Sequence, residues 1–270
     1  PLPEPPSLLP ARTLPVTARA GLLPGLEAAS EPVHASDPLG FGELGLSAGL
    51  VLYRAHPVLP HGRVVLGVRG LHDRAQVFVD GAPAGIIDRE TGTLDLHGTG
   101  RPVRLELLVE NQGRINYGPL LGQGKGILGA VQIDRRRVHG WTMRPLPLDE
   151  WTPERLERAA ASPPAAANTP APPGTAGGAG FATAAFTGDG ASDTFLALPG
   201  FHKGFVWING FLLGRYWNAG PQTTLYLPAP LTTAGANTLT VLELERAGDH
   251  LELRERPELG PPQEYVETFD

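Results

Sequence analysis

The chain has 270 residues, 41% of them hydrophobic, a formal net charge of −6 and no cysteine. That length accommodates one large domain or two ordinary ones, each burying its own core. The missing cysteine excludes disulfides, thiol nucleophiles and cysteine-ligated zinc. The acidic balance argues against a nucleic-acid or anionic-membrane partner, and no apolar stretch approaches the roughly 18 residues of a membrane helix, so a neutral partner is expected.

Residues 1–36 read as a proline-rich linker that opens Pro1-Leu2-Pro3-Glu4-Pro5-Pro6. It holds one candidate strand over residues 13–18, which Pro15 would confine to a sheet edge. With Met143 as the single methionine, the sequence reads as the C-terminal part of something longer. From residue 50 the pattern turns to β, with strands at 50–54, 64–68, 77–79, 93–96, 103–109, 131–133 and 141–143 separated by Gly and Asp turns. Strands at about ten-residue spacing mark a sandwich or jelly roll, giving a first β-domain over 37–146. Residues 147–180 lose this periodicity and read as a Pro/Ala/Gly-rich linker, with one helical turn at 153–160. A second β-domain follows over 181–256, with strands at 181–186, 194–198, 223–227 and 237–244, and then a tail over 257–270.

One hairpin occurs twice. Val77-Phe78-Val79-Asp80-Gly81-Ala82-Pro83-Ala84-Gly85 returns about 130 positions later as Val206-Trp207-Ile208-Asn209-Gly210-Phe211-Leu212-Leu213-Gly214. Each copy follows a Gly-x-His pair, Gly70/His72 and Gly200/His202. Asp80-Gly81 and Asn209-Gly210 supply the positive φ angles of a primed turn between strand-forming residues. The fold class is therefore all-β, with two related β-domains.

Residues able to do chemistry are few. Glu243 and Glu245 lie two apart on a strand, and their alternation with Leu242 and Leu244 assigns them a solvated face. Asp88 and Glu90 decorate a turn. His56, His61, His72, His97, His139 and His202 are scattered singly, so no metal site is expected, and His72 and His202 are read as fixing a loop in each domain. The Gly122-x-Gly124-x-Gly126 run around Lys125 precedes a strand rather than a helix, which fits a loop of unusual backbone angles rather than a phosphate cradle. No Gly-x-Ser-x-Gly elbow occurs, and no cofactor is implied. Trp207, Tyr216, Trp217, Arg215 and Asn218 form the best collection for stacking on a sugar face, but packing against the core or a neighbouring domain is the stronger reading of them. Arg114-Ile115-Asn116-Tyr117-Gly118, polar and aromatic between two strands, has the character of a functional loop.

These segments closely resemble the C-terminal half of the β-galactosidases of glycoside hydrolase family 35. The resemblance is carried by residues 73–81, by Leu108-Val109-Glu110-Asn111-Gln112-Gly113-Arg114-Ile115-Asn116-Tyr117-Gly118, by Lys125-Gly126-Ile127, and by residues 206–211, 213–217, 220–228 and 242–245. It implies two jelly-roll sandwiches of galactose-binding-like type that follow a (β/α)8 barrel. It also implies a retaining exo-glycosidase that releases terminal β-galactose, with both catalytic glutamates in the barrel. That barrel is absent from this chain, so no catalytic residue is assigned and the chain alone is expected to be inert. The partners implied are the barrel, normally in the same polypeptide, and β-galactosides. By the same resemblance Tyr117 belongs at the rim of the galactose pocket, with Arg114 and Asn116 holding its loop. Trp207, Arg215, Tyr216 and Trp217 form a sugar-binding or interdomain surface. Two alternatives stand beside this reading: an independent galactoside-binding module, and a structural fragment without a ligand.

Overall fold

A computed structural model describes residues 6–163 and 177–260. The chain divides into two compact units, one formed by residues 29–151 and the other by residues 1–28 together with 152–270. Both are built from antiparallel sheets.

In the unit 29–151, a six-stranded sheet runs in the order Val33–Ala35, Trp141–Leu146, Leu50–Ala55, Leu105–Glu110, Arg74–Val79, Ala82–Asp88. A four-stranded sheet orders Arg136–Arg137, Val131–Ile133, Gly62–Val68 and Thr93–Gly98. One core joins them: Tyr53, Val77 and Leu107 from the first pack with Leu66, Leu96 and Val131 from the second. The strand Gly62–Val68 buries alternate residues, as a sheet with one wet face should. Leu105–Glu110 is buried along its whole length, because it lies between two other strands and is covered on both faces.

In the other unit, a five-stranded sheet runs Phe211–Trp217, Lys203–Ile208, Ala234–Ala247, Gly177–Asp189, Ala18–Gly21. A four-stranded sheet orders Arg12–Pro15, His250–Arg254, Thr194–Ala197 and Thr224–Leu227. Ala184, Val206 and Val241 share a core with Leu196, Leu227 and Leu253. The helix Pro153–Ala160 forms where the sequence predicts it: Pro153 sits at the first turn and the Thr152 hydroxyl accepts from Arg155 N at 3.3 Å.

The N-terminal segment is not a linker. Arg12–Pro15 pairs with His250–Arg254 at a sheet edge, Ala18–Gly21 pairs with Gly177–Asp189, and Leu22–Ala28 forms a short helix between them. Pro15 does occupy an edge strand, so its missing N–H leaves no ladder bond unmade. Composition misleads here because both strands exist only through partners more than 150 positions away. The predicted linker 147–180 also holds structure at its ends: a 3-10 turn at Leu148–Glu150, the helix, and the start of the strand at Gly177. Its stretch 164–176 lies outside the described residues.

The two hairpins agree in detail. Asp80 and Gly81 have φ of 52° and 82°, and Asn209 and Gly210 have 49° and 86°. Asp80 Oδ1 accepts from Arg104 N at 2.8 Å, and Asn209 Oδ1 accepts from Thr238 N at 3.0 Å, so each turn side chain pins the strand alongside. Both ladders also carry a register shift at the same place, between Val77 and Phe78 and between Val206 and Trp207. The duplication is thus one of local device, bulge included.

Candidate functional site

Among the predicted functional segments, the loop after Leu105–Glu110 is the most firmly built. Asn111 Nδ2 donates to Ser47 O at 3.0 Å while its Oδ1 accepts from Gly113 N at 3.0 Å. Gln112 N then donates to Asp73 Oδ2 at 2.9 Å. At the far end Lys125 Nζ reaches both oxygens of Asp73, at 2.8 and 2.9 Å, and His72 Nδ1 lies 3.0 Å from Gly124 O. A single buried carboxylate therefore anchors both ends of the loop. The glycines around Lys125 do take unusual angles, with φ of 81° at Gly122 and 98° at Gly126.

Between these anchors the loop shows its apolar groups to solvent. Tyr117 is 87% exposed, and Leu120 and Leu121 are also exposed. Arg114 fits its expected bracing part, with Nε donating to Ser47 O at 3.2 Å. Asn116 does not: it is exposed and its side chain makes no hydrogen bond among the described residues. The bracing amide is Asn111, five residues earlier. Its signal was available in the sequence, since an Asn two residues before a glycine suits a side-chain-to-backbone turn.

The second cluster separates. Trp207 is 1% exposed and belongs to a strand buried on both faces, so it offers no surface to a sugar. Arg215 is exposed, whereas Tyr216 on the same strand is buried. Trp217 and Asn218 reach a cleft of about 360 Å³ that Gln222, Arg246, Arg254 and Glu258 also line. Lys203 Nζ sits 3.9 Å from the Trp217 ring centroid, a cation over an aromatic face.

Glu243 is not on a solvated face. It is fully buried and gathers five donors: the amides of His202 (2.8 Å), Lys203 (3.1 Å), Glu245 (2.7 Å) and Arg246 (3.1 Å), and the Tyr216 hydroxyl (2.8 Å). Burial pushes its carboxyl above the usual range while the amides and Tyr216 pull it back. Burial, with the adjacent Glu243 charge, likewise lifts the Tyr216 phenol well above its ordinary value. Alternation assigns a strand one wet face, and the rule fails where sheet and loops cover both. Glu245 pairs with His202, so His202 does hold its loop. Glu243 and Glu245 thus act as structural acceptors.

Two family models match the chain: the β-galactosidase first all-beta domain over residues 38–147, and the β-galactosidase galactose-binding domain over residues 179–237. A β-galactosidase of Macaca fascicularis is 38% identical across 87% of this chain and 38% of its own length. A mouse β-galactosidase-1-like protein is 40% identical across 79% of the chain and 33% of itself. A human β-galactosidase-1-like protein 2 is 34% identical across 96% of the chain and 41% of itself. A Pleurotus ostreatus lectin overlaps 89% of the chain and 81% of itself at 14% identity, but its TM-score of 0.25 is too low to relate the folds. The chain is thus of an all-β class found in glycosidases, and it belongs to the β-domain families of the β-galactosidases. It spans about a third to two-fifths of the length of the curated relatives it matches.

Proposed function

We propose that the chain is the non-catalytic β-domain pair of a retaining exo-β-galactosidase of glycoside hydrolase family 35. In this reading two jelly-roll sandwiches support and shape the active site of a (β/α)8 barrel in the same polypeptide. The parent enzyme hydrolyses terminal non-reducing β-D-galactose. A retaining mechanism needs two facing carboxylates about 5 Å apart, and both belong to the barrel. Glu243, the most buried carboxylate of the second unit, is committed to four backbone amides and a phenol, which leaves it no catalytic part.

The observation that carries the reading is the loop over residues 112–124. Both its ends are tied to buried Asp73, and its tip holds Tyr117 bare to solvent. A rigid loop with an uncovered aromatic tip suits a surface that another domain completes, and the greater length of the relatives leaves room for that domain. Tyr117 then forms part of the rim of the galactose pocket. Arg114 fixes the loop, and Asn116 is free to meet substrate hydroxyls.

The test is hydrolysis of 4-nitrophenyl β-D-galactopyranoside by the purified chain and by the full polypeptide that carries it. No turnover is expected from the first, and turnover from the second. Hydrolysis by the isolated chain, tracking with it through purification, would overturn the reading.

A further inference from the structure

The unit 29–151 holds a recess of about 190 Å³ outside the loop over residues 112–124. Much of its lining is aliphatic: Ile133 and Val138 are buried members of the core, and Pro57, Val58 and Pro60 extend the apolar surface. Arg136, Arg137 and His139 complete the recess, and no carboxylate lines it. Arg135-Arg136-Arg137 is the longest run of like charge in a chain whose net charge is −6. An apolar recess edged by guanidiniums suits an anion that carries an apolar body.

The three basic groups differ in what they already hold. Asp37 Oδ1 lies 3.6 Å from an Arg137 guanidinium nitrogen and 3.1 Å from His139 Nδ1. Arg136 is exposed, and its side chain has no partner among the described residues. It stands opposite Ile133 in the ladder, so both side chains leave the same face of the sheet. Asp134 fixes the turn just before it: Oδ1 accepts from Val65 N at 2.9 Å, and the Asp134 amide donates to Val65 O at 2.7 Å. The proline segment is held as well, with Val103 N donating to Pro57 O at 2.9 Å and Leu59 N to Arg101 O at 3.2 Å. Ordering that precedes the ligand lowers the cost of binding it.

We propose that this recess binds a carboxylate attached to a small aliphatic group, with the carboxylate on the Arg136 guanidinium and the aliphatic group against Val58, Ile133 and Val138. A planar guanidinium matches a carboxylate with two parallel hydrogen bonds. The volume is below the roughly 300–1,000 Å³ of drug-sized sites, so one branched aliphatic group fills it. A free organic acid and the C-terminal residue of a peptide both present this chemistry. For the peptide, Arg136–Arg137 is the outermost strand of its sheet and pairs with no further strand among the described residues, which leaves an edge for main-chain pairing. The site uses residues of this unit alone and stands apart from the galactosidase reading.

The test is an NMR titration of the full, isotopically labelled chain, read at the amides of residues 57–61 and 133–139. The probes are 3-methylbutanoate for a free acid and N-acetyl-alanyl-leucine with a free C-terminus for a peptide end. At least one should give saturable shifts there, with a dissociation constant on the order of millimolar, and the tighter of the two identifies the source. The neutral 3-methylbutanamide and inorganic phosphate should give none, since each lacks one half of the chemistry. Arg136→Gln should weaken binding roughly tenfold, and Val58→Asp should abolish it, both at exposed positions and with the thermal midpoint unchanged. No saturable shift with either acid would overturn the proposal. So would equal binding of the amide or of phosphate, or binding that Arg136→Gln leaves intact.

Discussion

Asp73 and Lys125 are 52 positions apart in sequence and form a buried ion pair, with the ammonium 2.8 and 2.9 Å from the two carboxylate oxygens. Asp73 also accepts from Gln112 N, so the pair closes the loop that carries Tyr117. Lys125 and Lys203 are the only lysines of the chain, and both are buried. Each is kept for an internal partner: Asp73 in one unit, the Trp217 ring in the other.

Breaking this pair from one side leaves an uncompensated buried charge. Asp73→Asn or Lys125→Met should each destabilise the first unit by about 3–5 kcal/mol, and combining the two should recover much of the loss. Urea denaturation of the three variants measures this. Limited proteolysis should cut the single variants between residues 113 and 124 well before the parent chain.

Glu243 gives the matching prediction in the second unit. Glu243→Ala orphans five donors and should destabilise by about 3–5 kcal/mol, whereas Tyr216→Phe removes one hydrogen bond to a charged group and should lose about 1.5–3 kcal/mol. Because burial raises the Glu243 carboxyl, its contribution is fully present below its ordinary value of 4.5 and declines as pH rises through the folded-state value. Chemical denaturation across pH should show this slope in the parent chain and not in Glu243→Gln.

Asp189 runs the other way. The Ser192 hydroxyl at 2.6 Å and the amides of Ala191 and Ser192, both at 2.9 Å, hold its carboxyl at about 2, below the ordinary 3.8. A depressed acid stabilises the fold above its unfolded value, and that gain is lost as pH falls through the folded one. The stability difference between the parent chain and Asp189→Ala should therefore be constant from neutrality to about pH 4 and shrink towards pH 2. A carboxyl titration by NMR with its midpoint near 4 would contradict it.

The duplicated turns should respond unequally to one change. Gly81 and Gly210 have nearly the same positive φ, so alanine carries a similar backbone strain of about 1 kcal/mol at both. A Cβ at Gly81 meets the far end of Arg104 at 2.9 Å, which can swing away, while at Gly210 it meets the Pro153 ring at 2.7 Å, which cannot. Gly210→Ala should lower the thermal midpoint more than Gly81→Ala does.

These particulars separate what was legible in the sequence from what was not. The hairpins were readable because Asp-Gly and Asn-Gly turns act locally, and the helix Pro153–Ala160 because its Thr152 cap and Pro153 start are local too. The N-terminal strands were not, since Arg12 finds its partner only at Leu253 and proline-rich composition outweighs that in a linear reading. Glu243 was misjudged because alternation presumes a wet face, and most of Ala234–Ala247 has none, whereas the burial of Trp207 in Lys203–Ile208 agrees with the packing reading. The loop over residues 112–124 was visible as a polar, aromatic, glycine-bounded segment. Its anchor was not, because nothing local in the sequence links Asp73 to Lys125.

The central claim is that this β-domain pair shapes a galactosidase site through Tyr117. The most direct measurement is kcat/KM on a β-galactoside for the full polypeptide with Tyr117→Ala, taken beside its unfolding midpoint. The account predicts a fall in kcat/KM of roughly tenfold or more with the midpoint unchanged, because Tyr117 makes no contribution to either core. An unchanged kcat/KM in a folded, active enzyme would contradict it.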